Sequence, residues 1–268
     1  MAIEPERGSR AAPRRRRRPM LAAIVTVAGV GGLIFAGLGI SGQFMPRQFT
    51  VAQRHRIEAW EVASRWRTTP KTKLFPARVR YSLTGPQLGL PGSLSLTARR
   101  LGIARRASCV KVAGVGPMAR LILRHDGCQA LLRATYTDAT SSLVLTVGVA
   151  VLRDEESAQS AAQYLTGGIA AGQGAITRHQ VLSPVRVPGT PAAAFSARQR
   201  QLGWVMGAGS YLVMATAGFA DGRPRVKVTS DPYTLAEMTS LARGVADRIA
   251  GPLGAPPPVP RCPGGPAC

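Results

Sequence analysis

The sequence predicts an α+β protein: an N-terminal transmembrane helix followed by an extracytoplasmic domain in which helices pack on an antiparallel sheet built from two hairpin-helix units. Three observations lead there. Residues 20–42, MLAAIVTVAGVGGLIFAGLGISG, are 23 residues without a charged side chain. As a helix they span about 34 Å at about 1.5 Å per residue, enough for a hydrocarbon core of about 30 Å. Residues 128–152 hold two β-rich stretches joined by a tight turn. A stretch with helix caps follows this pair, and the same order returns nearer the C-terminus.

Residues 1–19 form a basic tail with seven arginines, five of them consecutive (Arg14, Arg15, Arg16, Arg17 and Arg18), against two glutamates. Residues 43–58 carry only Arg47, Arg54 and Arg56. That asymmetry orients the segment at 20–42 with its N-terminus cytoplasmic and the rest outside the plasma membrane, leaving +17 of the net +22 beyond residue 19. Arg17 to Leu21 also fits a loose twin-arginine export pattern, as any arginine run before an apolar helix does. Small residues before Gly42 permit cleavage, but 23 apolar residues exceed the usual secretory length of about 7–15. An uncleaved anchor is therefore expected, with a cleaved, secreted binding protein as the alternative. Ala28, Gly32 and Ala36 make a small-residue stripe that would permit a homodimer through this helix.

Residues 43–67 contain a juxtamembrane amphipathic helix, Phe49 to Arg67, on which Ile57, Trp60 and Ala63 recur at three-residue steps. Its two tryptophans suit either the lipid headgroup layer or docking on the domain core. The extracytoplasmic domain is placed at 68–251. It opens extended and turn-rich over 68–107, with one short strand, ARVRYSL. A helix introduced by Pro117 and stopped at Gly127 follows. Cys128–Asp138 and Ser142–Leu152 are the strands of the first hairpin. Asp154 is the N-cap of the next helix, with Glu155 and Glu156 in its first turn and Gly167 at its stop. Ala193–Met206 and Ser210–Phe219 form the second hairpin. The last helix runs from Asp231 to Gly251 with Leu235, Met238, Leu241, Val245 and Ile249 on one face. Two hairpin-helix units thus form a structural pseudo-repeat, with one sheet covered on one face. Residues 252–268 contain seven prolines and are expected to form neither helix nor strand.

Four cysteines in an exported region point to disulfides, and four allow three pairings. Cys109 and Cys128 bracket the helix after Pro117 and are paired on that ground. Cys262 and Cys268 remain for each other in the tail. Zinc fits poorly, because no cysteine pair has structural-site spacing and the three histidines are scattered.

No catalytic, cofactor-binding or metal-ligating residue is assigned. There is no Gly-x-Ser-x-Gly. The glycines of VAGVGP and GGIAAGQG match no phosphate-cradling fingerprint. Asp154 and Asp231 read as caps, Asp126 and Asp221 as turn residues, and His125 as a partner for a helix C-terminus. With 5% aromatic residues and no recognition fold, nucleic acid is not an expected partner. Arginine excess over only four lysines is also what GC-rich coding produces, so charge alone assigns no anionic ligand. The expected partners are the membrane, crossed once, with anionic envelope polymers or lipid headgroups, an envelope protein, or a second copy of the chain.

LFPARVRYSL, TARRLGIARRASC, HDGCQALLRATYTDATSSL and LTVGVAVL together resemble a family of actinomycete membrane-anchored proteins without established activity. The resemblance covers roughly residues 57–165. It implies a single-pass envelope protein, often with the Cys109 and Cys128 pair, and supplies no functional residues. The expected role is a non-catalytic binding or assembly module of the cell envelope, with an envelope hydrolase as a further alternative.

Overall fold

The computed structural model describes residues 50–84, 92–107, 109, 114–168, 174–177, 179–226 and 232–257. The basic tail with Arg14, Arg15, Arg16, Arg17 and Arg18, the apolar segment 20–42, the cap Asp231 and the cysteines Cys262 and Cys268 lie outside them. No helix among the described residues is long and apolar enough to cross a membrane.

In chain order the elements are α1 (Val51–Thr68), α2 (Lys71–Leu74), β1 (Arg78–Thr84), β2 (Ser93–Ile103), α3 (Pro117–His125), β3 (Ala130–Thr137), β4 (Leu143–Val151), α4 (Glu155–Thr166), β5 (Ala175–Thr177), a short 3-10 turn (Ala197–Gln199), β6 (Arg200–Ala208), β7 (Tyr211–Phe219) and α5 (Pro232–Gly254). Seven strands form one antiparallel, curled sheet in the order β1-β2-β3-β4-β7-β6-β5. The α+β class is as the sequence predicts. The two expected hairpins, β3–β4 and β6–β7, sit side by side through the β4–β7 pair, Leu143 opposite Phe219 and Val151 opposite Tyr211.

Two strands exceed the expectation. β2 is eleven residues long where only turns and one strand were expected, and β5 adds a three-residue edge. The second hairpin also begins later than expected: residues 191–196 are turn and coil, and β6 starts at Arg200.

The sheet is covered on both faces, not one. Along β4 all nine residues are buried. Leu143, Leu145, Val147, Val149 and Val151 point to a core shared with Met238, Leu241, Val245 and Ile249 of α5. Ala150 and Leu152 point to a second core with Ala158, Ala161, Ala162 and Leu165 of α4. β7 divides the same way, Val213 and Ala215 toward α5, Leu212 and Met214 toward α4. This is the period-2 geometry of a strand buried on both sides. The two units therefore share chain order but send their helices to opposite faces, which limits the pseudo-repeat to the hairpins.

Beside α4 the second face is covered by the segment from 179 to 196, which lacks regular structure apart from turns. Buried loop backbone needs hydrogen-bond partners, and threonines on the strands supply them. Thr135 Oγ1 donates to the Val185 carbonyl at 2.8 Å, Thr146 Oγ1 accepts from Val185 N–H at 3.0 Å, and Thr216 Oγ1 donates to the Leu182 carbonyl at 2.9 Å.

Local chemistry sets the element ends. The Asp154 carboxylate accepts from Ser157 N–H at 2.8 Å as an N-cap, and Gly167 closes α4 at φ +71°. Buried Asp138 pins the β3–β4 turn, accepting from Leu143 N–H at 2.7 Å and Thr140 N–H at 3.0 Å. α5 runs past the expected end at Gly251, through Pro252 to Gly254. The Arg65 guanidinium donates to the carbonyls of Pro252, Leu253 and Ala255, which the helix end leaves unpaired. Leu253 is buried by the same extension.

α1 is docked by its second half alone. Trp66 is buried, and the Tyr211 hydroxyl bridges one rung of the helix, donating to the Val62 carbonyl at 2.5 Å and accepting from Trp66 N–H at 3.3 Å. Residues 51–61 are all exposed, with Trp60 at 71%. Of the two expected tryptophans, Trp66 docks on the core and Trp60 does not.

Candidate functional site

Cys109 and Cys128 are disulfide-bonded, with Cα atoms 5.9 Å apart. The bridge joins the segment before α3 to the residue pair preceding β3, next to an isolated β-bridge between Ala107 and Leu131. The expected bracket around the Pro117 helix is thus formed. Cys262 and Cys268 lie outside the described residues.

The histidines do not converge. His125 Nδ1 lies 2.8 Å from Asp126 at the end of α3, His55 lies 3.5 Å from Glu58 on exposed α1, and His179 opens the loop that crosses the second face. Among the described residues no three His, Cys, Asp or Glu side chains group as metal ligands.

Among the described residues, clefts of about 480 Å³ open at two places on the surface. The first lies between exposed α1, the N-terminus of α4 and the β6–β7 turn, and holds Glu58, Trp60, Arg153, Asp154, Glu155 and Ser210. Arg153 pairs with Asp154 at 3.2 Å, so the cleft keeps an excess of carboxylate suited to a cation. Gly209, at φ +54°, lets the turn approach α1 closely: a Cβ there would stand 2.9 Å from Val62 Cγ1. Sequence spacing gives no sign of this cleft, because its walls come from four distant segments.

The second cleft lies over the β3–β4 turn and holds Ser141, Ser142, Phe219, Asp221, Arg223 and Glu237. The Arg223 guanidinium is held by Asp221, with Nε to Oδ2 at 2.6 Å, and stacks 4.5 Å from the centre of the Phe219 ring. Glu237 faces the buried hydroxyl of Tyr81, which completes no full hydrogen bond. Burial and then the nearby charge of Asp138 raise the Glu237 carboxyl above its ordinary range.

A carboxyl raised in the folded state adds stability that is complete at pH below its ordinary value and is lost as pH rises through the folded value. Folding should therefore weaken from about the ordinary 4.5 upward through the raised titration of Glu237. Asp247, raised mainly by burial, acts with the same sign, whereas Asp154, lowered by its bonds to Ser157, acts oppositely. Glu237→Gln is expected to make this fall shallower and to unfold at higher urea than the parent at neutral pH. Urea midpoints measured across pH 4–8 test it; an unchanged slope would contradict the assignment.

The remaining candidate surface is the outer face of the β1–β2 hairpin, which neither α4 nor the loop covers. Val79, Tyr81, Leu83 and Ala98 point to the core, while Arg78, Arg80, Ser82, Ser95, Thr97 and Arg99 are exposed. Arg78 stands directly opposite Arg99, and Arg80 opposite Thr97. None of these three arginines pairs with a described carboxylate. Like charges opposite each other weaken a strand pair, and an anion laid across them would reverse that effect. Arginines also surround Trp66, with Arg67 and Arg106 each 5.1 Å from the ring centre.

No family model, no curated protein and no solved structure matches the chain.

Proposed function

We propose that the chain is a single-pass membrane protein of the cell envelope whose extracytoplasmic domain is a non-catalytic binding module for an anionic polymer. The uncovered β1–β2 face carries this reading. A strand pair that sets Arg78 against Arg99, with Arg80 beside them and no carboxylate partner among the described residues, is suited to a multivalent anion. A chain of phosphates spaced along a flexible backbone would engage several guanidinium groups at once, each by bidentate charge-assisted bonds. The Cys109–Cys128 disulfide supports the outer compartment, since such bonds persist where thiols are not kept reduced. The uncharged run at 20–42 and the arginines before it support the anchor and its direction.

The test uses the full chain in nanodiscs of neutral lipid, titrated with poly(glycerol phosphate). Binding is expected to weaken as salt rises, and Arg78→Gln/Arg80→Gln/Arg99→Gln is expected to weaken it by about tenfold or more, each lost charged contact contributing on the order of 1 kcal/mol. Equal affinity of variant and parent at low salt would reject this face as the binding surface. Protease added to intact cells should remove the domain; a protected domain would reject the topology.

A further inference from the structure

We infer that the exposed stripe of α1 is a bilayer contact: Arg56, Ile57, Trp60 and Arg67 lie in the headgroup layer of the outer leaflet and hold the domain against the membrane that anchors it. This inference rests on the single-pass reading above and adds a second, independent membrane contact to it.

The first ten residues of α1 meet no core. A helix of that length is marginal in water without packing, and here it exposes Val51, Ile57 and Trp60, three of the nine large apolar side chains exposed among the described residues. Positions 56, 57, 60 and 67 fall within about 100° of one another on a 3.6-residue wheel. Val62, which docks, lies across the helix from them, while docked Trp66 borders their edge, where the Arg67 guanidinium stacks on its ring. All four stay exposed when the domain is folded, Trp60 at the rim of the first cleft. The chemistry of the stripe is that of an interfacial helix: an indole and a branched aliphatic chain between guanidinium groups, which favour anionic headgroups while the ring enters the boundary with the acyl chains.

Chain length selects lipid as the occupant. Only eight residues, 43–50, separate the apolar segment from Val51. Fully extended, they reach at most about 28 Å, so a helix that starts at Val51 stays within that distance of the end of the anchor. Polymer ligands and the β1–β2 face do not compete for this stripe, since its residues belong to another element.

The protein supplies its own probe. It has three tryptophans; Trp66 and Trp204 are buried, and Trp60 is exposed. The full chain is reconstituted into phosphatidylcholine and phosphatidylglycerol vesicles whose acyl chains are brominated near the headgroup. Bromine should quench the wild-type emission, and Trp60→Phe should abolish that quenching. Arg56→Gln should reduce it in vesicles containing phosphatidylglycerol more than in neutral ones. Alkaline carbonate extraction is run in parallel. A chain that resists extraction but shows no quenching, or one whose quenching survives Trp60→Phe, overturns the inference and leaves the anchor standing. A chain released by carbonate overturns the anchor and the inference together. Trp60 emission that responds to protein density in the vesicles and not to bromine assigns the stripe to a second copy and also overturns it.

Discussion

Replacing Cys109 and Cys128 together by alanine is expected to lower the unfolding free energy by about 3 kcal/mol, the loop-closure value for cysteines 19 positions apart. The loss falls on one part of the fold. α3 is a nine-residue helix that buries only Ala119 and Leu123, both against the α4 core, and it pairs with no strand. A helix that short has little stability of its own. Its attachment depends on the bridge, on Cys109 buried within the same core, and on the Cys128 N–H bond to the Leu123 carbonyl at 2.9 Å. The bridge also stands beside the Ala107–Leu131 pairing that leads the chain into β3. Urea unfolding of the full chain in detergent, oxidised and with reductant, measures the energy. Hydrogen exchange locates it: amides of α3 should lose protection before those of β4 and β7. Equal midpoints with and without reductant would show that the bridge adds nothing to the fold.

The parts legible in the sequence share one property: each is decided by neighbours along the chain. Asp154 three residues before Ser157, Gly167 at a helix end and Pro117 at a helix start act within one turn, and the helices appear where these residues put them. The stripe Met238, Leu241, Val245 and Ile249 identifies the buried face of α5 because its spacing is local. Contacts between distant segments were not legible. Thr135, Thr146 and Thr216 alternate with apolar residues and imply a wet face, yet they hold a loop that arrives 39 to 50 positions later in the case of Thr135 and Thr146, and 34 positions earlier in the case of Thr216. The reading of one covered face failed there. β2 is hidden in the sequence for a related reason. Its Leu94, Leu96 and Ala98 alternate with serine, threonine and arginine between glycines and prolines, and only the register against β1 and β3 makes it a strand. The candidate surface follows the same division. Arg78 and Arg99 are legible as charges, but their opposition is a property of the hairpin register, 21 positions apart.

Gly244→Ala and Gly251→Ala, two changes of the same kind in the same helix, are expected to move stability in opposite directions. Intrinsic propensity favours alanine over glycine inside a helix by about 1 kcal/mol. At Gly251 nothing beyond its chain neighbours lies within 4 Å of the added Cβ, and the Cδ of Pro252 crowds a Cβ placed before it in helical backbone, so Gly251→Ala should gain only part of that amount. At Gly244 the new Cβ would stand 2.5 Å from Tyr81 Cβ and 3.2 Å from Tyr81 Cα. These atoms belong to or adjoin the β1 backbone, and no side-chain rotation withdraws them. α5 must then lift from the edge of the sheet, pulling on Met238, Leu241 and Val245, which fill the core from the same face. Overpacking of a tight interior costs about 1–3 kcal/mol, which exceeds the propensity gain and leaves Gly244→Ala about 1–2 kcal/mol less stable than the parent. The curl of the sheet requires this contact, because α5 touches β1 at one side and β6 and β7 at the other and fills the trough between them. Urea midpoints of the two variants decide the matter. If both rise, helix propensity outweighs packing at residue 244, and α5 does not lie as close to Tyr81 as its glycine allows.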